Sequence, residues 1–479
     1  MFNKKTVLSV VLWSGSAIAQ TALTSTPRPI DPAAGSTNPS ARATQTLNPY
    51  LGSTPEGQVV DEVIKLSLED AVARGLRFNL GLIDSQQSDS TVRAQRERAF
   101  SALLPQISAR VAQTYEQLSF KEIGLKIPPG LGFQIPATSG GFGFSDARVS
   151  VQFAVFNSEL LQKYKGQKIA EAASLLNTKD ARDVVVLAVG AAYFQVVASQ
   201  ARLDAAQASV KSAQELDKQV ADQFKAEVSP EIDTLRAQVE LSAAEQRVVN
   251  ARNDLEKDKL TLDRITGIPL AQAWTVSKEY GYRPVTVFES AEALATRSDL
   301  ASLKQSVLAA EIGVKAAHAE RLPSISFDAN YGGAGLNIGN YNHVYELTGS
   351  VSVPLFTGGR IRSDVHQAQA ALVQRRAEYR DLEGRVDYDV RVAQLDVKAS
   401  ESAVKVAEKN KALAQKAYIQ SEDRFQNGVT NYLEVIQAQE AIATANENYI
   451  ASLFSFNVSK IALARAMGSA ETRLAALFQ

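Results

Sequence analysis

Three landmarks in the first half of this chain return, in the same order, in the second half. Leu104-Pro105-Gln106-Ile107-Ser108 reappears as Leu322-Pro323-Ser324-Ile325-Ser326. The run from Ser150-Val151 to Phe156 reappears from Ser350-Val351 to Phe356. Phe224, Val228, Ile232-Asp233 and Ala237 reappear as Phe425, Val429, Leu433-Glu434 and Ala438. The second and third pairs share an offset of about two hundred residues, and the first is offset by roughly eighteen more. That surplus locates an insertion in the first half, around Gly124 to Gly141. A duplicated chain folds twice into one supersecondary unit, so each local reading has to hold in both halves.

Each half reads as a helix, two strands, a long helix, a turn and a helix. Ser67-Leu68-Glu69-Asp70 predicts a capped helix start, with the helix running toward Phe100 and ending near Pro105. Past Pro105 the period becomes two. Ile107, Ala109, Val111 and Tyr115 alternate with Ser108, Arg110, Thr114 and Glu116. Ala147, Val149, Val151, Phe153 and Val155 alternate with Asp146, Arg148, Ser150 and Gln152. The second half repeats this with Ile325, Phe327, Ala329 and Tyr331, then Leu347, Val351, Val353 and Leu355. Strands of about ten residues with one apolar and one polar side suit a membrane barrel with a wet lumen. A soluble two-faced sheet shows the same alternation. Four strands cannot close a barrel in lipid, where unpaired edges are not tolerated, so a barrel requires several chains. Three chains would supply twelve strands.

Ser158 to about Ala226, and Gly359 to about Asn427, contain no proline and keep a helical pattern. At 1.5 Å per residue, about seventy residues make a rod of roughly 100 Å. Apolar and small positions recur at three-and-four spacing: Val210, Ala213, Leu216, Val220 and Phe224, and again Leu433, Ile436, Ala443, Ile450 and Leu453. Such a seam fits helices packed into a tube and fits an ordinary antiparallel coiled coil equally. Val184 to Ala201 carries no formal charge, but its repeat partner carries Asp387, Asp389, Arg391 and Asp396. Equivalent positions should not sit one in lipid and one in water, so no membrane helix is expected there.

The N-terminus has the layout of a cleavable secretory signal: Lys4 and Lys5, an apolar Val7 to Trp13, then Ala17-Ile18-Ala19 before Gln20. No cysteine follows the expected cut, so lipid-anchored maturation is not expected. The next stretch carries Pro27, Pro29, Pro32, Pro39, Pro49 and Pro55 and too few large apolar residues for a core, which suggests a mobile arm or an extended surface segment. With 0 Cys, an exported chain has to be held by packing rather than disulfides. A net charge of -1 gives no electrostatic case for nucleic acid. His318, His343 and His366 lack metal-ligand spacing, and Gly332-Gly333-Ala334-Gly335 lacks the lysine of a phosphate loop. The glycine run is expected as an extracellular turn between strands, and no catalytic, cofactor or metal residue is identified. The expected organisation is a signal over 1–19, a Pro/Ser/Thr-rich arm over 20–62, repeats over 63–266 and 289–467, a linker over 267–288 and a tail over 468–479.

Several pieces then fall in a familiar order. They are Ser67-Leu68-Glu69-Asp70-Ala71 leading to Asn79, the two Leu-Pro-x-Ile-Ser motifs, and Val353-Pro354-Leu355-Phe356-Thr357-Gly358-Gly359. Arg424-Phe425-Gln426-Asn427-Gly428-Val429 follows, with Leu433-Glu434-Val435 behind it. From about Val63 to Met467 the chain resembles the TolC-like outer-membrane efflux proteins, the outer membrane factors. The resemblance implies an α+β membrane protein that works as a homotrimer in outer-membrane lipid. Four strands per chain would complete a shared 12-stranded β-barrel, continued by a long periplasmic α-helical coiled-coil tube. Its tip would dock onto a periplasmic adaptor, or membrane fusion protein, linked to an inner-membrane pump, and the chain would be the passive exit duct of an efflux or type I secretion system.

The resemblance also places the tip residues. Glu434 falls at an acidic position facing the narrow entrance, Asp233 at its counterpart, and Phe425 where an aromatic gate residue is often tyrosine. Val228, Ser229, Gly428 and Val429 form the turns expected to meet the adaptor. A basic locking residue would fall at Thr430 and is absent, a second acidic position is Gln437, and Glu227 stands where the family prefers Gly. Three Glu434 copies around an axis would favour cations or neutral solutes; read alone, Glu434 and Asp233 are equally helix-start carboxylates near a positive dipole end. The alternative is a periplasmic coiled-coil scaffold or adhesin without channel activity.

Overall fold

The computed structural model describes residues 48–57, 59–119, 138–277, 281–284, 290–337 and 339–478. The signal, most of the arm and most of the insertion lie outside the described residues. In chain order the elements are β1 (Ile64–Leu66), α1 (Leu68–Phe78), α2 (Leu80–Ser101), β2 (Gln106–Glu116), β3 (Phe142–Phe156), α3 (Ser158–Lys225) and α4 (Glu231–Thr266). They continue with β4 (Trp274–Val276), α5 (Ser290–Thr296), α6 (Ser298–Ala319), β5 (Ser324–Asn337), β6 (Asn340–Ser352), α7 (Arg360–Gln426), α8 (Tyr432–Ala466) and α9 (Ala470–Phe478).

The first helix differs from its expectation. Ser67 caps α1, accepting from Asp70 N at 3.0 Å, but the helix breaks at Asn79 instead of running to Phe100. The cause lies outside the local sequence. Asn79 is extended at φ -65 and ψ 130; its carbonyl oxygen accepts from Gly81 N at 3.0 Å, and its amide donates to Tyr50 O at 2.8 Å. One buried side chain thereby caps α2 and ties the Pro49–Leu51 turn to the helices.

The four longer strands form one antiparallel sheet in the order β2-β3-β5-β6. Gly332 to Gly335 lies inside β5 instead of forming a turn, and β5 and β6 meet at Asn337 and Asn340. Close backbone approach explains the glycines: a Cβ on Gly332 would sit 2.0 Å from Ala147 O, and one on Gly335 1.9 Å from Asn340 O. The second strand of the second half also ends earlier than its alternation suggests, at Ser352, so Val353 and Leu355 lie beyond it. None of the three hydrophobic core clusters includes a residue of this sheet. Its apolar face is open, with Val111 76% and Tyr345 75% exposed, and Leu355 and Phe356 just beyond it are 93% and 91% exposed.

The rods match expectation: α3 has 68 residues and α7 has 67, about 100 Å each. The uncharged stretch of α3 is a core face. Val185, Val186, Val189, Tyr193 and Phe194 are buried together with Leu68, Leu262 and Ile461. By length and composition α3 is a helix that could cross a membrane, but 50% of its most apolar window is buried by the protein. The seam positions Ala213, Leu216 and Val220 are buried, whereas Phe224 and Leu433 are exposed and Tyr432 and Val435 face the core instead.

The linker and tail both contain regular elements. β4 pairs in parallel with β1, and Trp274 Nε1 donates to the buried Asp263 at 2.7 Å. α9 docks on α3 and α8: Arg182 Nε donates to Glu471 at 2.7 Å, Asp183 accepts from Glu471 N at 3.0 Å, and the Phe478 ring packs tilted on that of Phe194 with centroids 4.9 Å apart. Residues 278–280 and 285–288 of the linker lie outside the described residues.

Candidate functional site

The sheet and the two hairpin tips sit at opposite ends of the rods α3 and α7. Each tip closes with the same hydrogen-bond pattern. Val228 N donates to Gln223 O at 3.0 Å and Glu227 N to Phe224 O at 2.9 Å; Val429 N donates to Arg424 O at 2.9 Å and Gly428 N to Phe425 O at 3.1 Å. This paired closure needs a left-handed residue after the cap. Gly428 supplies it at φ 68 and Glu227 at φ 60.

The return helices start differently. Asn431 caps α8, accepting from Glu434 N at 3.2 Å, while Pro230 precedes α4 without a side-chain cap. The Glu434 carboxylate accepts from Thr430 Oγ1 and lies 3.6 Å from Arg424. Thr430 thus serves as a hydroxyl donor where the resemblance implies a basic residue, and the cation comes from Arg424. Asp233 lies 3.2 Å from Arg236 and accepts from Ser229 Oγ at 3.5 Å. Val228, at 78%, and Val429 are exposed apolar points on the two turns.

Phe425 is placed inside the tip. The residue is only 8% exposed and its ring lies 5.8 Å from that of Tyr432, in a cluster with Leu216, Val220, Ala237 and Val435 that packs the first hairpin on the second. Burial, reinforced by Glu240, Asp217 and Asp233, pushes the Tyr432 phenol upward in pKa. Sequence reasoning missed Tyr432 and Arg424. Tyr432 adjoins Leu433 and Arg424 opens the second tip's motif, but only the second tip carries them, so comparison of the repeats gave neither a role. Among the described residues no group of three or more His, Asp or Glu side chains is arranged to hold a metal ion.

Residues 82–268 and 290–469 match the family described as outer membrane efflux protein. The chain belongs to the outer membrane efflux protein family. Outer membrane protein TolC of Vibrio cholerae serotype O1 is 27% identical over 309 residues, covering 60% of this chain and 68% of that protein. The alkaline protease secretion protein AprF of Pseudomonas aeruginosa is 24% identical over 310 residues, covering 62% and 64%. Both alignments span about two thirds of the relative's own length. The Campylobacter jejuni CmeC outer membrane channel superposes with a TM-score of 0.74 at 17% identity, covering 88% of this chain and 92% of that one. Family membership makes this chain an outer-membrane efflux protein and displaces the scaffold or adhesin reading.

Proposed function

We propose that three copies close their four-stranded sheets into one twelve-stranded barrel in outer-membrane lipid, with α3, α4, α7 and α8 continuing as a tube across the periplasm. The assembly is the exit duct of a tripartite efflux or type I secretion system, served by a periplasmic adaptor and an inner-membrane pump. The observation that carries this reading is the sheet. It has an open apolar face, polar side chains on the other face, and unpaired edges at β2 and β6. A bilayer covers an apolar face, and closure with further copies pairs the edges.

Within that assembly the tips form the periplasmic constriction. Glu434 and Asp233 give it negative charge, and the neighbouring Arg424 and Arg236 temper that charge. Phe425 acts from inside the second tip by holding the two hairpins together. The exposed Val228 and Val429, with Ser229 and Gly428 shaping the turns, meet the adaptor. Relatives carry names from secretion and from efflux, so the cargo stays at the class of small solutes or exported proteins.

Planar-bilayer conductance of detergent-purified protein tests this, with wild type beside Glu434→Gln. Wild-type insertion and conductance, with reduced cation preference in the variant, is the expected result. A variant with unaltered selectivity moves the constriction away from Glu434. A wild type that stays soluble and never conducts overturns the duct.

A further inference from the structure

The polar face of the sheet carries Arg110 and Glu116 on β2, Asp146 and Arg148 on β3, Asp328 on β5 and Glu346 on β6. Arg110 on β2 and Arg148 on β3 are direct cross-strand partners, so their side chains share the face and lie side by side. Like charges placed directly opposite are unfavourable unless something compensates them. Asp146 lies 2.8 Å from Arg148 Nε, which leaves Arg110 without an ion pair among the described residues. Asp328 lies on β5 and Glu346 on β6. The next rung of the ladder joins Ser150, Asn330 and Glu346.

Hydrogen bonds tie the two ends of this array together. Arg148 Nη1 donates to Asn330 Oδ1 at 3.4 Å, and Asn330 Nδ2 donates to Glu346 Oε2 at 3.0 Å. Thr348 Oγ1 adds a donor to Glu346 at 3.5 Å. Asn330 therefore presents its carbonyl to the basic side and its amide to the acidic side. The arrangement holds a positive pair and a carboxylate at fixed places on adjacent rungs of the wall.

We propose that this wall is a second, charge-segregated selectivity surface, lining the barrel lumen and separate from the tips, and that it orients dipolar and zwitterionic solutes leaving the duct. The inference rests on the barrel reading, which puts this face toward water and the opposite face toward lipid. Repeated three times, the wall alternates the unpaired Arg110 of β2, beside the Arg148–Asp146 pair of β3, with the carboxylates of β5 and β6. A solute with both charges has complementary places for each end, whereas a singly charged one is attracted at one sector and repelled at the next. Screening confines the effect to solutes passing within about 10 Å of the wall at 0.1 M salt.

The chain has 0 Cys, so single cysteines report local potential without background. Full-length Ser150→Cys, Thr348→Cys and Val149→Cys are reconstituted into liposomes and reacted with methanethiosulfonates bearing either a sulfonate or a trimethylammonium group. One uncompensated charge about 7 Å away, the spacing of diagonal neighbours, shifts the ratio of the two rates by about sevenfold. The ratio of sulfonate to ammonium rates is expected to be higher at Ser150→Cys, which lies diagonally between Arg110 and Asp328, than at Thr348→Cys, which faces Asp328 beside Glu346. The contrast should shrink in an Arg110→Gln/Arg148→Gln background and collapse at 1 M salt, where screening reaches about 3 Å. Glu346→Gln, an independent variant, should raise the sulfonate rate and lower the ammonium rate at Thr348→Cys. Equal ratios at both positions, or a contrast indifferent to the arginines, overturn the charged wall while leaving the barrel intact. Val149→Cys reacting as fast as Ser150→Cys shows water on both faces and overturns the barrel itself.

Discussion

Glu227 at φ 60 and Gly428 at φ 68 occupy the same place in the two hairpin turns and close them with the same pair of backbone hydrogen bonds. Glycine reaches that conformation freely, whereas a residue with a Cβ is strained there by roughly 1–2 kcal/mol, offset in part by the greater freedom glycine has when unfolded. Glu227→Gly is therefore expected to stabilise the first tip by about 1 kcal/mol. Hydrogen exchange of the residues flanking the turn should slow in this variant and not in Glu227→Gln, which keeps the Cβ. Equal slowing in both would assign the effect to charge.

Asp263 makes stability depend on acidity. Burial, opposed by the Trp274 hydrogen bond and by Lys259, pushes its carboxyl from 3.8 up to about 7. Between those values the folded chain holds a proton that the unfolded chain has released, so stability falls as pH rises through the window. Asp263→Asn keeps an acceptor for the indole and removes the titration. Melting temperatures of wild type relative to the variant should drop from pH 4 to 7; parallel curves would dismiss the assignment.

Lys460 produces the opposite slope. It is buried, lies 5.2 Å from the Phe456 ring and 4.3 Å from that of Phe478, and burial aided by Arg283 lowers its ammonium to about 8. From about pH 8 to the ordinary 10.5 the unfolded chain binds a proton that the folded chain has lost, so wild-type stability rises there. Lys460→Met should melt higher than wild type at pH 7, with the gap closing toward pH 10.5. A lower melting point at pH 7 would mean that the ring contacts outweigh the buried charge.

Gly190 permits the close crossing of α3 and α8. A Cβ there would stand 2.4 Å from Ile461 Cδ1, and Ile461 is fully buried. Gly190→Ala should cost about 1–3 kcal/mol by overpacking, and Gly190→Ala with Ile461→Val should recover part of it. Denaturant unfolding checks both. An unaltered midpoint in the single variant would mean that the core gives way freely.

Sequence determined much of this protein because its main signals are local and long. Proline-free rods, period-two strands and turn residues at Glu227 and Gly428 act through the chain's own backbone, and duplication let each half check the other. Tertiary structure alone decided where distant segments cut across those signals. Asn79 breaks a helical pattern because Tyr50 and Gly81 take its side-chain bonds, and Gly332 lies within a strand because Ala147 backs closely onto it. Phe425 turns inward because Leu216, Val220 and Tyr432 offer an apolar site, and the tail becomes α9 because Arg182, Asp183 and Phe194 receive it. In each case burial among residues far apart in the chain outweighs local preference, and local periodicity carries no record of those partners.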